Sequence, residues 1–310
     1  MLFVLSINVL VFTPRLLAVV LGWDGLGLIS FVLVVYYQRD KALGAGLVTA
    51  LINRVGDVLL LGSICLLREG GYWGLWGLSL EERVVGLVLL IVAILSITKR
   101  AQMPFSYWLP AAIIAPTPVS ALVHSSTLVT AGVYLIIRLL MGVGELQVGG
   151  FVRRFLLVAS LLTNVMAGVR ACFEVDLKKV VALSTLRQLG IIVMSLAMGY
   201  YSLAFFHLIT HALFKSLMFI RVGRVIHLFN DSQDLRDMGG LWERMPWTRR
   251  CWLVSRISLM GLPFLRGFYS KDLVVEGCLG GAVNLVVFMR VGLGIIRTVI
   301  YSGRVFSMGV

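Results

Sequence analysis

The chain has 310 residues, of which 59% are hydrophobic and 14% charged, with a mean hydropathy of +0.95. Soluble domains carry about 25% charged residues, so this composition excludes an ordinary soluble domain and leaves room for about ten membrane spans. The formal charge of +13 would suit nucleic acid or anionic lipid. Because the arginines are scattered through apolar segments and form no basic stripe, nucleic acid is not expected, whereas cardiolipin is a candidate lipid partner.

Apolar runs of bilayer length define the predicted helices in chain order. The first run is too short to cross a bilayer alone, and clusters of charged and turn residues separate the later ones. The predicted spans lie near residues 1–12, 16–37, 43–67, 84–98, 111–140, 151–172, 180–199, 202–228, 250–270 and 281–303. The sequence therefore predicts an all-α polytopic membrane protein.

Prolines interrupt two of these spans. The first break covers Gln102-Met103-Pro104 and the stretch from Pro110 to Pro118, and the second covers Pro263-Phe264 and Gly267-Phe268. Proline removes a backbone donor, which a membrane tolerates only where protein or water satisfies the freed groups. Broken helices in corresponding positions of the two halves of a chain are typical of inverted-repeat transporters.

Five ionisable side chains lie deep inside otherwise apolar segments: Asp24, Lys99, His124, Lys215 and Lys271. A charge within a bilayer is costly, and its presence indicates an ion or proton pathway. Lys99 precedes the first break and Lys271 follows the second, and a lysine kept from water can exchange a proton near neutral pH. A single lysine at a span end could instead extend to the headgroups, but two lysines at two breaks favour the pathway.

A row of ionisable residues recurs every fourth position, at His207, His211 and Lys215. The row follows one face of a helix over about 12 Å and can pass a proton stepwise, since imidazole titrates near neutral pH. Histidines that are only hydrogen-bonded core residues are the alternative. A zinc site is not expected, because a third ligand and the Glu of His-Glu-x-x-His are missing.

Asp24 has apolar residues on both sides, so it must pair with a cation or take up a proton, and Lys99 is the candidate partner. Arg54 and Asp57, three residues apart in the next span, are expected to form a local ion pair with a structural or supporting role. The glycines around Asp24 lack the strand and the spacing of a dinucleotide-binding loop. The four cysteines lack metal-ligand spacing, so neither a cofactor nor a metal is expected on this chain.

Longer motifs resemble the NADH-ubiquinone oxidoreductase chain 5 family, the distal antiporter-like subunit of respiratory complex I, in its mitochondrial, invertebrate form. The motifs are Leu21-Gly-Trp-Asp-Gly-Leu-Gly27, Asn53-Arg-Val-Gly-Asp57, 101–110, 115–132, Asp176-Leu-Lys-Lys179, 207–215, Met238-Gly-Gly-Leu241 and 267–272. The resemblance implies two inverted five-helix bundles, residues 1–142 and 143–310. It also implies that the sequence is partial, without the family's first helices and its C-terminal lateral helix.

The resemblance implies a role for each candidate residue. Asp24 would be the acidic partner of Lys99, His124 the link to the second half, His207, His211 and Lys215 the central row, and Lys271 the outlet, with Arg54, Asp57 and Asp272 in support. The chain would be a proton-translocating subunit of NADH:ubiquinone reductase in the mitochondrial inner membrane, beside another antiporter-like subunit. NADH, FMN, iron–sulfur clusters and ubiquinone would belong to other subunits. An Mrp-type cation/proton antiporter subunit and a non-functional truncated fragment are the alternatives.

Nine arginines lie in or beside predicted spans, several of them where the family has serine or another small residue. They are Arg15, Arg100, Arg170, Arg187, Arg221, Arg224, Arg256, Arg266 and Arg290. Arginine at the centre of a membrane helix costs about 2.5–3.5 kcal/mol on insertion scales. Many invertebrate mitochondria read the codons AGA and AGG as serine. The sequence therefore suggests the hypothesis that these positions are serine in the mature protein, and CGN codons there would contradict it.

Overall fold

A computed structural model describes residues 1–69, 82–143, 150–280 and 285–309. Every regular element in these ranges is helical, so the predicted all-α fold is confirmed. Helices satisfy their own backbone donors and acceptors, as a bilayer requires. The α-helices are α1 (Leu2–Phe12), α2 (Leu16–Val34), α3 (Asp40–Glu69), α4 (Glu82–Lys99), α5 (Trp108–Ala111), α6 (Thr117–Val119), α7 (Leu128–Val143), α8 (Gly150–Phe173), α9 (Leu177–Ala197), α10 (Tyr201–Leu228), α11 (Leu241–Arg244), α12 (Pro246–Met260), α13 (Arg266–Gly280) and α14 (Leu285–Gly309).

Six helical segments within the described ranges are long and apolar enough to cross a membrane. They are Leu16–Tyr37, Asp40–Arg68, Thr117–Met141, Gly150–Phe173, Leu177–Ala197 and Tyr201–Leu228. Two shorter apolar helices occupy Leu2–Phe12 and Val84–Lys99. The polytopic membrane character predicted from the sequence is therefore confirmed, and the helix bounds agree with most of the predicted spans to within a few residues.

The chain divides into two units, and the first consists of residues 1–116 and 127–159. Within it α3 packs against α4 and α2, α1 packs against α2, and α4 packs against α7. A Cβ atom at Gly22 would lie 2.7 Å from the backbone nitrogen of Leu10. Glycine therefore allows the backbones of α1 and α2 to approach closely, as small residues do between membrane helices. Trp23 and Leu26, fully buried, occupy the inner face of α2.

The second unit consists of residues 117–126 and 160–310. Its central helix α10 packs against α9, α12, α13 and α6. The apolar stretch of α9 is entirely buried in protein, although the helix carries Ser184, Arg187 and Gln188. The two units do not establish an inverted repeat, so the predicted relation between residues 1–142 and 143–310 stays a prediction.

The structure contains both predicted helix interruptions. In the first unit α4 ends at Lys99. Two residues later, Ala101 has a left-handed φ of +54°, although it is not a glycine. In the second unit α12 ends at Met260, and the capping residue Gly261 has a φ of +86°, which is typical of a helix C-terminus. Phe264 has a φ of +69°. Such backbone conformations in residues other than glycine are costly and cluster at functional sites.

One detail of the second predicted break is wrong. Gly267 and Phe268 were expected to extend the interruption that begins at Pro263, but both lie in the first turn of α13. A Cβ atom at Gly267 would collide with the carbonyl oxygen of Ser258 on α12. The glycine therefore permits close helix packing, and the chain is broken by the residues before it.

Candidate functional site

Lys99 lies at the last turn of α4 and is completely buried. Its Nζ atom donates a hydrogen bond of 2.8 Å to the backbone carbonyl of Trp23 and lies 3.9 Å from the centre of the Trp23 ring. The carboxylate within ion-pair distance is Asp57 on α3, at 3.9 Å from Nζ to Oδ1. The sequence predicted Asp24 as the partner of Lys99; Asp24 also acts on the Lys99 charge, but no ion pair between the two is found in the described structure.

Asp24 and Asp57 line the same cavity of about 220 Å³ between α2 and α3 in the first unit. Asn53 and Arg54 also line it, and the other lining residues have no polar side chain. The predicted local pair is present, with Arg54 Nη1 at 3.6 Å from Asp57 Oδ2. The Arg54 side chain is 56% exposed, so this pair contributes little to stability.

The cavity has the size and polarity needed for ordered water. A single water occupies a probe volume of about 10–15 Å³ and requires two to four polar partners, which the two carboxylates and Asn53 supply. Asp24 Oδ1 is buried and has no hydrogen-bond partner among the described groups, so a water or a proton would satisfy it. The first unit thus places two carboxylates on one small cavity, with the buried Lys99 ammonium 3.9 Å from one of them.

His207, His211 and Lys215 are all completely buried along α10 in the second unit. The His207 ring lies 2.9 Å from Ser270 Oγ through Nδ1 and 3.3 Å from Gln188 Oε1 through Nε2. The ring centres of His207 and His211 are 6.4 Å apart. The three ionisable side chains of the predicted row therefore all lie in the interior, and His207 connects α10 to α9 and α13.

His211 and Lys215, the other two members of the row, differ in their hydrogen bonding. The Lys215 ammonium donates to the hydroxyl of Ser184 on α9. Neither ring nitrogen of His211 has a hydrogen-bond partner among the described residues. A buried imidazole without partners is costly, and it leaves both nitrogens free to accept or donate a proton through bound water.

Lys271 on α13 donates to the backbone carbonyl of Leu259, in the last turn of α12. The last carbonyls of a helix have no intrahelical partner and carry the negative end of the helix dipole, so they favour a cation. The break after α12 therefore creates a binding place for the Lys271 ammonium. The neighbouring Asp272 is exposed, and its predicted supporting role stays a prediction.

The remaining predicted residue is His124. Its backbone lies in a π-helix over residues 120–127, but its side chain lies outside the described part of the structure. Sequence reasoning did not single out Trp23, Gln188 or Ser270 as contacts of the ionisable groups. A tryptophan or serine in an apolar span has no pattern that distinguishes a contact with lysine or histidine from ordinary packing, so only the structure reveals them.

Three of the nine arginines are completely or almost completely buried: Arg100, Arg187 and Arg256. Arg187 donates to Asn164 Oδ1 at 3.0 Å, and Arg256 stacks at 3.9 Å on the Trp252 ring. Each of the three retains a guanidinium nitrogen without a hydrogen-bond partner, and the described residues place no carboxylate within 4.0 Å of any of them. Unpaired buried charges of this kind are rare in membrane interiors.

The fold and the site define a class of protein. A polytopic helical protein with buried lysines at helix interruptions, a cavity lined by two carboxylates and an interior histidine–lysine row has the features of an ion-translocating membrane protein. The chain belongs to the family described as "NADH:quinone oxidoreductase/Mrp antiporter, TM", whose model matches residues 13–297.

Curated relatives carry the name NADH-ubiquinone oxidoreductase chain 5, which confirms the resemblance found in the motifs. The Anopheles gambiae protein is 49% identical over 307 residues, which are 98% of this chain and 52% of that protein. The Lumbricus terrestris protein is 48% identical, over 99% of this chain and 53% of its own length. The Anopheles arabiensis protein is 50% identical, over 93% and 75% respectively. The chain therefore spans about half the length of most of these relatives.

Two solved structures share the fold. The Mrp complex from Dietzia sp. DQ12-45-1b contains a chain with 30% identity and a TM-score of 0.89, covering 98% of this chain and 34% of that one. An archaeal respiratory membrane complex, the membrane-bound sulfane sulfur reductase, contains a chain with a TM-score of 0.90 and 22% identity, covering 99% of this chain and 64% of that one. The second likeness concerns the fold alone.

Proposed function

We propose that this chain is the antiporter-like core of a proton-translocating subunit of respiratory complex I in the mitochondrial inner membrane. Redox energy released on other subunits, which would hold NADH, FMN, the iron–sulfur clusters and ubiquinone, would drive protons through it. Its partners would be other membrane-arm subunits, in particular a neighbouring antiporter-like subunit, with cardiolipin as a candidate lipid. The relatives named chain 5 support this proposal.

The observation that carries the proposal is the set of buried ionisable groups. Lys99, His207, His211 and Lys215 have no exposed surface, and Lys271 is 7% exposed. Burying so many titratable groups without full ion pairing costs stability. A structural role does not require that cost, whereas stepwise proton transfer requires groups that change charge in the interior.

In the first unit the proton would pass between the carboxylates and the ammonium. Asp24 and Asp57 receive a proton at the cavity, and Lys99 Nζ, at 3.9 Å from Asp57, accepts or returns it through a small side-chain movement or one water. When Lys99 is charged, it stabilises the ionised form of the nearby carboxyl group. When Lys99 is neutral, the carboxyl group holds its own proton more firmly. This reciprocal effect gives the site two charge states.

In the second unit the proton would move along α10. His207 and His211 would relay it towards Lys215, and Lys271 would release it at the end of α12. The hydrogen bonds of His207 to Ser270 and Gln188 fix the ring orientation, which stepwise transfer requires. Transfer between the halves by way of His124, and the inverted arrangement of two five-helix bundles, are part of the same proposal.

The test is the variant Lys99→Met in the assembled complex, with proton translocation and NADH:ubiquinone electron transfer measured on the same membranes. Because methionine cannot exchange a proton, we expect translocation through this subunit to fall by about a hundredfold, the scale of a lost acid–base group. Lys41→Met is the matched control, since Lys41 is exposed at the first turn of α3. Wild-type translocation in Lys99→Met would overturn the proposal.

A second candidate function is a cation/proton antiporter subunit of the Mrp type. The 30% identity with a chain of the Dietzia Mrp complex supports it, and its chemistry uses the same buried groups. Sodium uptake driven by a pH gradient, in membranes without NADH dehydrogenase activity, would favour this function. Proton translocation that requires NADH oxidation would favour complex I.

A further inference from the structure

We infer that Trp23 is a positioning residue for Lys99, and that its indole face and backbone carbonyl together hold the charged ammonium beside α2. The inference rests on the proposed function, in which Lys99 exchanges a proton, and it adds the residue that determines where the ammonium lies while it is charged. Trp23 and Lys99 both belong to the first unit.

The distances around Lys99 support this role. The Trp23 carbonyl oxygen at 2.8 Å lies within hydrogen-bond distance of Nζ. Asp57 Oδ1 lies at 3.9 Å, beyond the 2.7–2.9 Å typical of a charge-assisted hydrogen bond. The Trp23 ring centre, also at 3.9 Å from Nζ, is well inside the limit of about 6 Å for a cation–π contact. Trp23 therefore supplies the hydrogen-bond acceptor and the aromatic face, and Asp57 supplies charge at a longer distance.

The indole of Trp23 has no other polar function in the described structure. A buried tryptophan usually places its N–H on an acceptor, but Trp23 Nε1 is buried and lacks a hydrogen-bond partner among the described residues. Because this N–H group makes no hydrogen bond, it does not hold the ring in place, and its burial costs free energy. The ring face, which meets a completely buried ammonium, provides a compensating interaction, because cation–π contacts are strongest when desolvated.

The inference implies a second position for Lys99 when its amine is neutral. The charged ammonium is stabilised by Trp23, whereas a neutral amine loses the cation–π attraction and can turn towards the cavity. The charged groups that act on Lys99 are Asp57, Asp24 and Arg54. Trp23 thus separates the ammonium from a direct hydrogen bond with Asp57, so the proton is not held permanently between the two groups.

The test measures the protonation of Lys99 directly, by nitrogen-15 NMR of labelled lysine in the full-length subunit in lipid bilayers. The resonance is assigned by its loss in Lys99→Met. Removing the aromatic face in Trp23→Leu should lower the proton affinity of Lys99 about tenfold, which moves its half-titration about one pH unit lower. Trp23→Phe, which retains a weaker face, should produce a smaller shift in the same direction.

Leu26→Ala is the matched control, because Leu26 is also fully buried and lies one turn further along α2. It removes packing but none of the hydrogen-bond, cation–π or ion-pair contacts of Lys99, so the titration should not move. An unchanged titration in Trp23→Leu would overturn the inference. If that variant fails to insert, Trp23→Phe decides: a several-fold shift supports the inference and no shift overturns it. The readout is independent of pumping, so a failure of the proposed function in Lys99→Met is recognised separately.

Discussion

The three buried arginines give the sharpest prediction about the mature protein. Serine at positions 100, 187 and 256, introduced as Arg100→Ser, Arg187→Ser and Arg256→Ser, should increase membrane insertion and thermal stability. The same change at Arg15 and Arg170, which are exposed, should have little effect. Burial without a carboxylate partner is the property that separates the two groups.

The magnitude follows from the contacts of each guanidinium. Arginine costs about 2.5–3.5 kcal/mol at the centre of a membrane helix, so three cost about 8–10 kcal/mol. Four hydrogen bonds, two from Arg100 to Ser96 and one each from Arg187 to Asn164 and from Arg256 to the Ser302 carbonyl, recover about 1.5 kcal/mol each. About 2–4 kcal/mol remains, which is a substantial part of the total stability of about 5–15 kcal/mol typical of a folded domain.

Two measurements test the prediction: peptide sequencing of the native protein and thermal unfolding of recombinant variants. Mass spectrometry of peptides from native inner membranes, across Lys99 to Gln102 and Ser184 to Gln188, should show serine at positions 100 and 187. Recombinant serine variants should unfold at a higher temperature than the arginine forms. Arginine in the native peptides, or serine variants no more stable than the Arg15→Ser control, would refute the reasoning.

Two further predictions concern the second unit. Gly267→Ala should destabilise the chain by about 1–3 kcal/mol in thermal unfolding, because the added methyl group meets the Ser258 carbonyl. Gly292→Ala is the control, since a Cβ atom there has no neighbour within 4 Å, and it should show no loss of stability. Equal losses in the two variants would contradict the packing argument. Ser270→Ala should slow proton translocation about tenfold, because it removes the hydroxyl at 2.9 Å from His207 Nδ1. Ser270→Thr retains a hydroxyl and should keep most of the rate. An unchanged rate in Ser270→Ala would exclude the hydroxyl from the pathway.

Apolar runs and prolines predicted most of the fold, because a bilayer fixes both the length of a span and the need to satisfy its backbone. The bounds of α10 and the face shared by His207, His211 and Lys215 follow directly from helical periodicity. The role of Gly267 was not predictable, since a glycine in an apolar segment can permit either a turn or a close helix contact. Only the position of Ser258 decides between them.

The partner of Lys99 illustrates the limit of sequence for the site. Asp24 and Asp57 lie on different helices; Asp24 is half-buried and Asp57 is buried, and both line the same cavity. Which of them approaches Nζ depends on how α2 and α3 are rotated and displaced against α4, and residue spacing along one helix does not contain that information. The contact with Trp23 was hidden for the same reason.

The burial of the whole apolar stretch of α9 has a consequence for biogenesis. Lipid can solvate the apolar residues of a new span but cannot hydrogen-bond Ser184, Arg187 or Gln188. Ser184 donates to the Val181 carbonyl within α9 itself, but Arg187 and Gln188 make their side-chain hydrogen bonds to α8 and α10. The nascent chain must therefore complete residues 201–228 before α9 reaches its final environment. Substitutions in α9 should consequently appear as reduced yield of the assembled protein, with little inactive but fully assembled product.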